Sequence, residues 1–252
     1  MTSLHTLIET LDNWMRPDLF DDYAPNGLQV EGRGQIHRIA LGVTASAQVI
    51  EEAVNWKADA LLVHHGYFWR GEPPNLTGMK GRRLKRLFEN QMSLIAYHLP
   101  LDCHSEFGNN KALLDQIGLQ GGLPIASENG LMWSVELEPK TSLRALSNLI
   151  ADKLKRQPHV IRSPIGPSEL CRLVLCTGGA QDYLTKAHTF GADVYLSGEI
   201  SERTTHEARE LGVHYIAAGH HATERYGVQE LARKLELQLG LQTMFFDDHN
   251  PA

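Results

Sequence analysis

Two stretches of the chain align without a gap: "RIALGVTASAQVIEEAVNWKADALLVHH" (38–65) and "RLVLCTGGAQDYLTKAHTFGADVYLSGE" (172–199). Each reads as an apolar strand, a short turn, an amphipathic helix, an Ala-Asp pair and a second apolar strand. Arg38 falls on Arg172, Ala53 on Ala187, and Ala58-Asp59 on Ala192-Asp193. With insertions, 82–119 then parallels 202–241, each giving a helix, a strand, a polar loop and a helix that ends at Gly-Leu. Strands alternating with helices pair largely in parallel and pack in α/β layers. The expected fold class is therefore α/β: internally duplicated β-α-β-α-β-α units with layered sheets and helices, plus a small α+β inserted region.

The inserted region is expected over 125–170, where "LMWSVELE" reads as a strand and "SLRALSNLIADKL" as a helix. "RSPIGPSEL" (162–170) is rich in turn formers and reads as a linker. The expected domains are thus 1–124, carrying His64, His65 and Asp102; 125–170; and 171–252, carrying His220 and Glu224.

In parallel α/β sheets, ligands gather beyond the C-terminal ends of the strands. Here those ends are rich in ligand-type residues. His64 and His65 follow "LLV", His98 and Asp102 follow "LIAY", Gly198 and Glu199 follow "YLS", and His220, His221 and Glu224 follow "YIAAG". His220 and Glu224 are spaced to share one helix face. Successive strand residues point to opposite faces, so one small site has little use for adjacent histidines. Two ions side by side, about 3.5–4 Å apart as in two-metal hydrolytic sites, could each take one. Imidazole with carboxylate suits Fe, Zn, Mn, Co or Ni better than Mg or Ca. Five ligands shared by two ions leave coordination positions open, as catalysis requires. A single strand-end histidine is more often a hydrogen-bonded structural group, and "HHATE" alone reads equally as a helix start. The joint pattern across a duplication favours a metal centre.

Composition removes other classes. The net charge of −6 argues against bulk nucleic-acid binding. No apolar run is long enough to span a membrane. The N-terminal "MTSLHTLIETLDNWM" reads as an amphipathic helix with Leu4, Leu7, Ile8, Leu11 and Met15 on one face, not as a signal peptide. Three cysteines without CxxC spacing fit a reduced, cytoplasmic setting.

"YAPNGLQVEG" (23–32), "GVTAS" (42–46), "ADALLVHHGYFW" (58–69), "HLPLD" (98–102), "GN" (108–109), "SGE" (197–199) and "AAGHHATER" (217–225) together resemble one family. It is the dinuclear-metal family of GTP cyclohydrolase I type 2 homologs, the NIF3-like proteins, and the match is closest to bacterial members of about this length. The resemblance implies two divalent transition-metal ions per chain. It places His64 and Asp102 on one ion and His65 and His220 on the other, with Glu224 bridging both. It also implies a homohexameric ring with the metal sites facing an inner cavity, and a small-molecule, nucleotide-type substrate. A GTP cyclohydrolase adds water at purine C8, opens the imidazole ring and releases formate.

Such chemistry needs a proton donor and acceptor near the ions. Glu199 is the first candidate because it is the duplicated counterpart of His65; His98 and His206 come next, as acid/base groups or as partners that orient ligands. "CTGGAQ" (176–181) lies between a strand and a helix, where amides can hold an anion. It lacks a P-loop lysine and reads first as a tight turn. The basic "KGRRLKR" (80–86) reads first as a solvated helix face. Three functions are expected to compete: a metal-dependent hydrolase of purine or damaged nucleotides, a two-metal phosphoesterase, and a non-enzymatic scaffold or regulator that keeps metal for stability.

Overall fold

Helix starts follow capping chemistry. The Ser3, Ser46 and Ser142 side chains each accept an amide hydrogen bond from the first turn of the helix they precede. The computed structural model describes residues 1–252. Its elements begin β1 (Thr2–Ser3), α1 (Leu4–Met15), β2 (Gly27–Val30), β3 (Gln35–Ile36), β4 (Arg38–Thr44), α2 (Ala47–Asn55) and β5 (Ala60–His65). They continue with α3 (Gly78–Glu89), β6 (Ser93–Ala96), α4 (Leu99–Cys103), α5 (Asn109–Ile117), β7 (Leu123–Pro124), β8 (Trp133–Thr141), α6 (Leu143–Leu154) and β9 (His159–Ile161). The last are β10 (Leu170–Leu175), α7 (Leu184–Thr189), β11 (Val194–Ser197), α8 (Glu202–Leu211), β12 (His214–Ala217), α9 (His220–Leu239) and β13 (Gln242–Phe245). No helix is long and apolar enough to cross a membrane. The amphipathic N-terminal helix forms as expected, with Leu4, Leu7, Leu11 and Met15 buried and Ile8 at its half-exposed margin.

The chain divides into two units, Met1–Leu101 with Val228–His249, and Asp102–Gly227 with Asn250–Ala252. The first holds the sheet β13-β4-β5-β6-β2, parallel except for β2, and the small antiparallel pair β1-β3. Apolar faces of α2 (Val49, Ile50, Ala53) and α3 (Leu84, Leu87) pack on Leu61, Val63 and Leu94 of this sheet.

The second unit holds the sheet β7-β8-β10-β11-β12-β9, whose central strands β10, β11 and β12 are parallel. Strand alternation builds a core on each of its faces. Leu173, Leu175, Leu196 and Ile216 meet α5 and α6, while Val174, Tyr195 and Tyr215 meet α7 and α8.

The segment 125–170 does not stand apart. It supplies β8, which pairs antiparallel with β10, and β9, which pairs antiparallel with β12. The local pattern shows strands and a helix but carries no record of their partners. For the same reason the C-terminal strand β13 pairs with β4 of the first unit, far away in sequence. Asp102, expected with the first unit, opens the second, because the chain leaves the first unit inside α4 and returns inside α9.

Candidate metal centre

In the first unit, β5 ends at His64 and His65, beside the turn that follows β6. Strand alternation does not keep the two rings apart. Their centroids are 4.4 Å apart, and the His98 ring lies 5.1 Å from His64 and 5.7 Å from His65. Nitrogens of these three imidazoles lie within 4.8 Å of one another, close enough to hold a cation.

Each ring is oriented from behind. The carbonyl of Tyr97 stands 3.0 Å from His64 Nδ1, so Nδ1 donates to it and Nε2 is the nitrogen left facing away. Thr44 Oγ1 is 3.2 Å from His65 Nδ1. Asp22 Oδ1 is 2.7 Å from His98 Nδ1. The Asp22 carboxylate also accepts from Leu99 N and Asn26 Nδ2, at 2.9 Å each. Burial pushes its pKa upward, but these donors outweigh burial and hold it at about 2. Asn26 Oδ1 accepts from His98 N at 2.7 Å, and Gln29 Oε1 from Tyr67 N at 2.7 Å. The "YAPNGLQVEG" stretch thus fixes the loops around the histidines. Gly66 is part of that fit, since a Cβ there would come within 2.2 Å of Gln29 Oε1.

In the second unit the ligand-type groups are carboxylate-rich. Asp102 is buried, and its Oδ1 accepts from Asn109 Nδ2 at 2.8 Å. Asn110 holds the same turn, donating to Asp102 O at 3.1 Å and accepting from Thr177 N at 3.0 Å. At the start of α9, Glu224 Oε2 lies 3.1 Å from His220 Nε2, the one-turn spacing the sequence suggested. Glu199 Oε1 lies 2.6 Å from His220 Nδ1. The "CTGGAQ" turn serves these carboxylates. Gly178 has φ of +68°, and a Cβ on it would come within 2.0 Å of Glu224 Oε1. Its amide donates to Thr223 Oγ1 at 3.0 Å.

The donors fit a divalent transition metal. Glu224 is only 3% exposed, and a carboxylate buried so deeply needs positive charge nearby. Burial alone would lower the His220 pKa, but Glu224 and Glu199 raise it to about 9. His220 therefore holds a proton between two carboxylates, which a cation bound there would displace.

His206 is not part of this group. It stands on the outer face of α8, 62% exposed, with Glu202 one turn away at 3.1 Å. Sequence reasoning passed over Asp22 and Asn110, whose roles depend on long-range partners; Asn26 and Thr177 lay inside the singled-out stretches "YAPNGLQVEG" and "CTGGAQ" without a role of their own. Asn109 had a signal in the "GN" pair.

A duplicated α/β chain with imidazoles on one set of strand tips and carboxylates on the other defines a class of candidate metalloprotein. The family model described as Duf34/NIF3 (NGG1p interacting factor 3) matches residues 2–251, and the chain belongs to that family. A protein of Allochromatium vinosum named "GTP cyclohydrolase 1 type 2 homolog" is 48% identical over 255 residues, covering 100% of this chain and 98% of its own. A solved structure described as "Structural genomics, protein ybgI, unknown function" matches with a TM-score of 0.95 at 41% identity, over 100% of both chains. The solved structure of TTHA1606 from Thermus thermophilus matches with a TM-score of 0.90 at 32% identity, again over 100% of both.

Proposed function

We propose that this protein is a dinuclear metal-dependent hydrolase acting on a purine nucleotide or a damaged nucleotide. In this reading His64 and Asp102 would hold one ion and His65 and His220 the other, with Glu224 shared between them. The observation that carries it is a shared orientation. His64, His65 and His220 each have Nδ1 engaged by an oxygen, of Tyr97, Thr44 and Glu199 respectively, which presents Nε2 as the ligand atom. Joining ligands from two units into one centre is the substance of the proposal. The covalent path supports it: α4 carries the chain from His98 to Asp102, and the first two turns of α9 carry His220 and Glu224.

Two divalent ions bound there would supply Lewis acidity and lower the pKa of water for attack on a polarised carbon or phosphorus centre. The chain's own residues do the rest. Tyr97 and Thr44 fix the ring planes of the paired histidines. Glu199 orients His220 and, with its side chain 44% exposed, is placed to take a proton from an attacking water. His98, held by Asp22 through Nδ1, keeps Nε2 for proton exchange with a leaving group. The names of the relatives favour a purine substrate, and ring opening would be read as formate.

The test is anaerobic metal analysis of the wild type and Glu224→Gln, coupled to a nucleotide panel scored for formate and phosphate. Glu224→Gln is expected to stay folded and lose most bound metal. Two ions per chain at wild-type affinity in that variant would remove the bridging assignment. Phosphate without formate would select a phosphoesterase. Loss of assembly on metal removal, with no turnover of any substrate, would select a scaffold.

A further inference from the structure

The second unit contains a cleft of about 440 Å³ that the proposed metal chemistry leaves unused. It lies between the start of α6, β9 and the loop after β9, over His214. His214 opens β12, and His220 follows that strand's far end, so the cleft and the ligand-type residues lie at opposite ends of one strand.

No acidic residue lines this cleft, but Arg144 and Arg162 do. Neither guanidinium has an ion-pair or hydrogen-bond partner within the chain. By contrast, Arg16, Arg33, Arg70, Arg86, Arg172 and Arg203 each pair with a carboxylate. Ser147, one turn along α6 from Arg144, lines the same cleft at 5% exposure, and its hydroxyl bonds to no protein group. The Ser142 side chain caps Ala145 N, while the amides of Leu143 and Arg144 in the first turn have no helical acceptor. Two unpaired guanidiniums, an unpartnered hydroxyl and a helix amino terminus make a receptor for an anion.

The floor is rigid. His214 is 2% exposed; Ser163 N donates to its Nδ1 at 3.0 Å, and its Nε2 donates to Pro167 O at 2.8 Å. A Cβ on Gly166 would come within 2.8 Å of the His214 ring. The Pro/Gly-rich stretch that reads as a linker is thus pinned onto the sheet, and it presents Arg162 from a fixed base.

We propose that this cleft binds a nucleotide-sized organic phosphate, with the phosphate on Arg144, Arg162, Ser147 and the first amides of α6. The volume falls within the range of small-molecule sites, about 300–1,000 Å³, and exceeds what a lone phosphate fills. Leu143 and Val160 offer apolar surface to the organic part, and Asn148 and Gln157 offer amides. The site uses none of the proposed metal ligands and stands or falls separately from them.

The test is calorimetric titration of the protein as purified with guanosine monophosphate, guanosine and inorganic phosphate. It is repeated on Arg144→Gln/Arg162→Gln, on Ser147→Ala and, as a charge control, on Arg82→Gln. Guanosine monophosphate is expected to bind saturably and more tightly than either fragment, with affinity falling as salt rises. The double variant should weaken it about 100-fold, roughly tenfold per charge-assisted contact. Ser147→Ala should weaken it by about tenfold or less. Arg82→Gln should change nothing, and metal content should be the same throughout. Unchanged binding in the double variant, or no saturable binding to the wild type, would overturn the site. Inorganic phosphate binding as tightly as the nucleotide would overturn the organic part.

Discussion

In the first half of the duplication, Asp59 Oδ2 accepts from His37 N and Arg38 N at 2.8 and 2.9 Å; in the second, Asp193 Oδ2 accepts from Cys171 N and Arg172 N at 2.6 and 2.9 Å. Arg38 reaches Trp56 O at 3.3 Å, and Arg172 reaches Phe190 O at 3.1 Å. The N-terminal ends of the two strand pairs are the same device used twice. Their C-terminal ends differ. Where the first half has His64, fully buried, the second has Gly198, and a Cβ there would come within 2.6 Å of both Gly178 O and His220 Cα. Where the first has His65, the second has Glu199. Strand beginnings set the register of the fold, and strand tips are free to diverge in chemistry.

The largest expected effect tests that divergence. Gly198→Ala drives a methyl into backbone on two sides, where no side chain can rotate away. It should destabilise the protein by about 3 kcal/mol or more in urea unfolding. His64→Ala, at the aligned position, strips the Tyr97 carbonyl of its donor and should cost about 1–3 kcal/mol. If Gly198→Ala is as stable as the wild type, the second tip has room for a side chain and the contrast fails.

The shared device predicts equality. Asp59→Ala and Asp193→Ala each leave two backbone amides without their acceptor, a loss of about 2–3 kcal/mol apiece, to which the half-exposed Arg33 partner of Asp59 adds no more than about 1 kcal/mol. Matching losses in urea unfolding sharpen the equivalence. A loss confined to one of the two would mean that the alignment joins unlike structures.

Asp22 and His98 separate the halves by pH. His98 follows β6 as Gly219 follows β12, so the second half has no such pair. Hydrogen bonds hold the Asp22 carboxyl at about 2 despite its burial, below the unfolded value near ~4. Its contribution is therefore fully present above pH ~4 and is lost as pH falls towards 2. Asp22→Asn should cost about 2 kcal/mol at pH 7, and the gap from the wild type should close between pH ~4 and ~2. Unfolding curves measured across that range decide it; a gap independent of pH would assign the loss to packing.

These contrasts also show what the sequence can carry. The strand-helix-strand repeats and the ligand-type tips were legible because periodicity and composition are local. The partners of β8, β9 and β13 were not, since a strand does not encode which neighbour it joins. The glycines of "CTGGAQ" were legible as a turn. Their reason, room for the Glu224 carboxylate beside Gly178, depends on a residue some 46 positions on. Asp22 was invisible for the same reason: it meets His98 only after 76 residues of chain have folded back.

The smallest effect concerns His206, a candidate on sequence grounds. His206 lies on α8 and Arg86 on α3, the helices that precede β12 and β6 in the two halves, and the two side chains are used differently. Arg86 leaves its own helix to meet Glu51 of α2 through two contacts at 2.6 and 2.8 Å. His206 meets only Glu202 on its own helix, and both side chains are mostly in solvent. An exposed one-turn pair contributes about 0.3–0.5 kcal/mol when charged, and less when the imidazole is neutral. His206→Ala should therefore change stability by no more than about 0.5 kcal/mol and leave metal content and any turnover at wild-type levels. Arg86→Ala should destabilise more, because it unties two helices. A loss of metal or turnover in His206→Ala would put chemistry on the outer face of α8 and break the rule that, in both halves, only strand tips carry it.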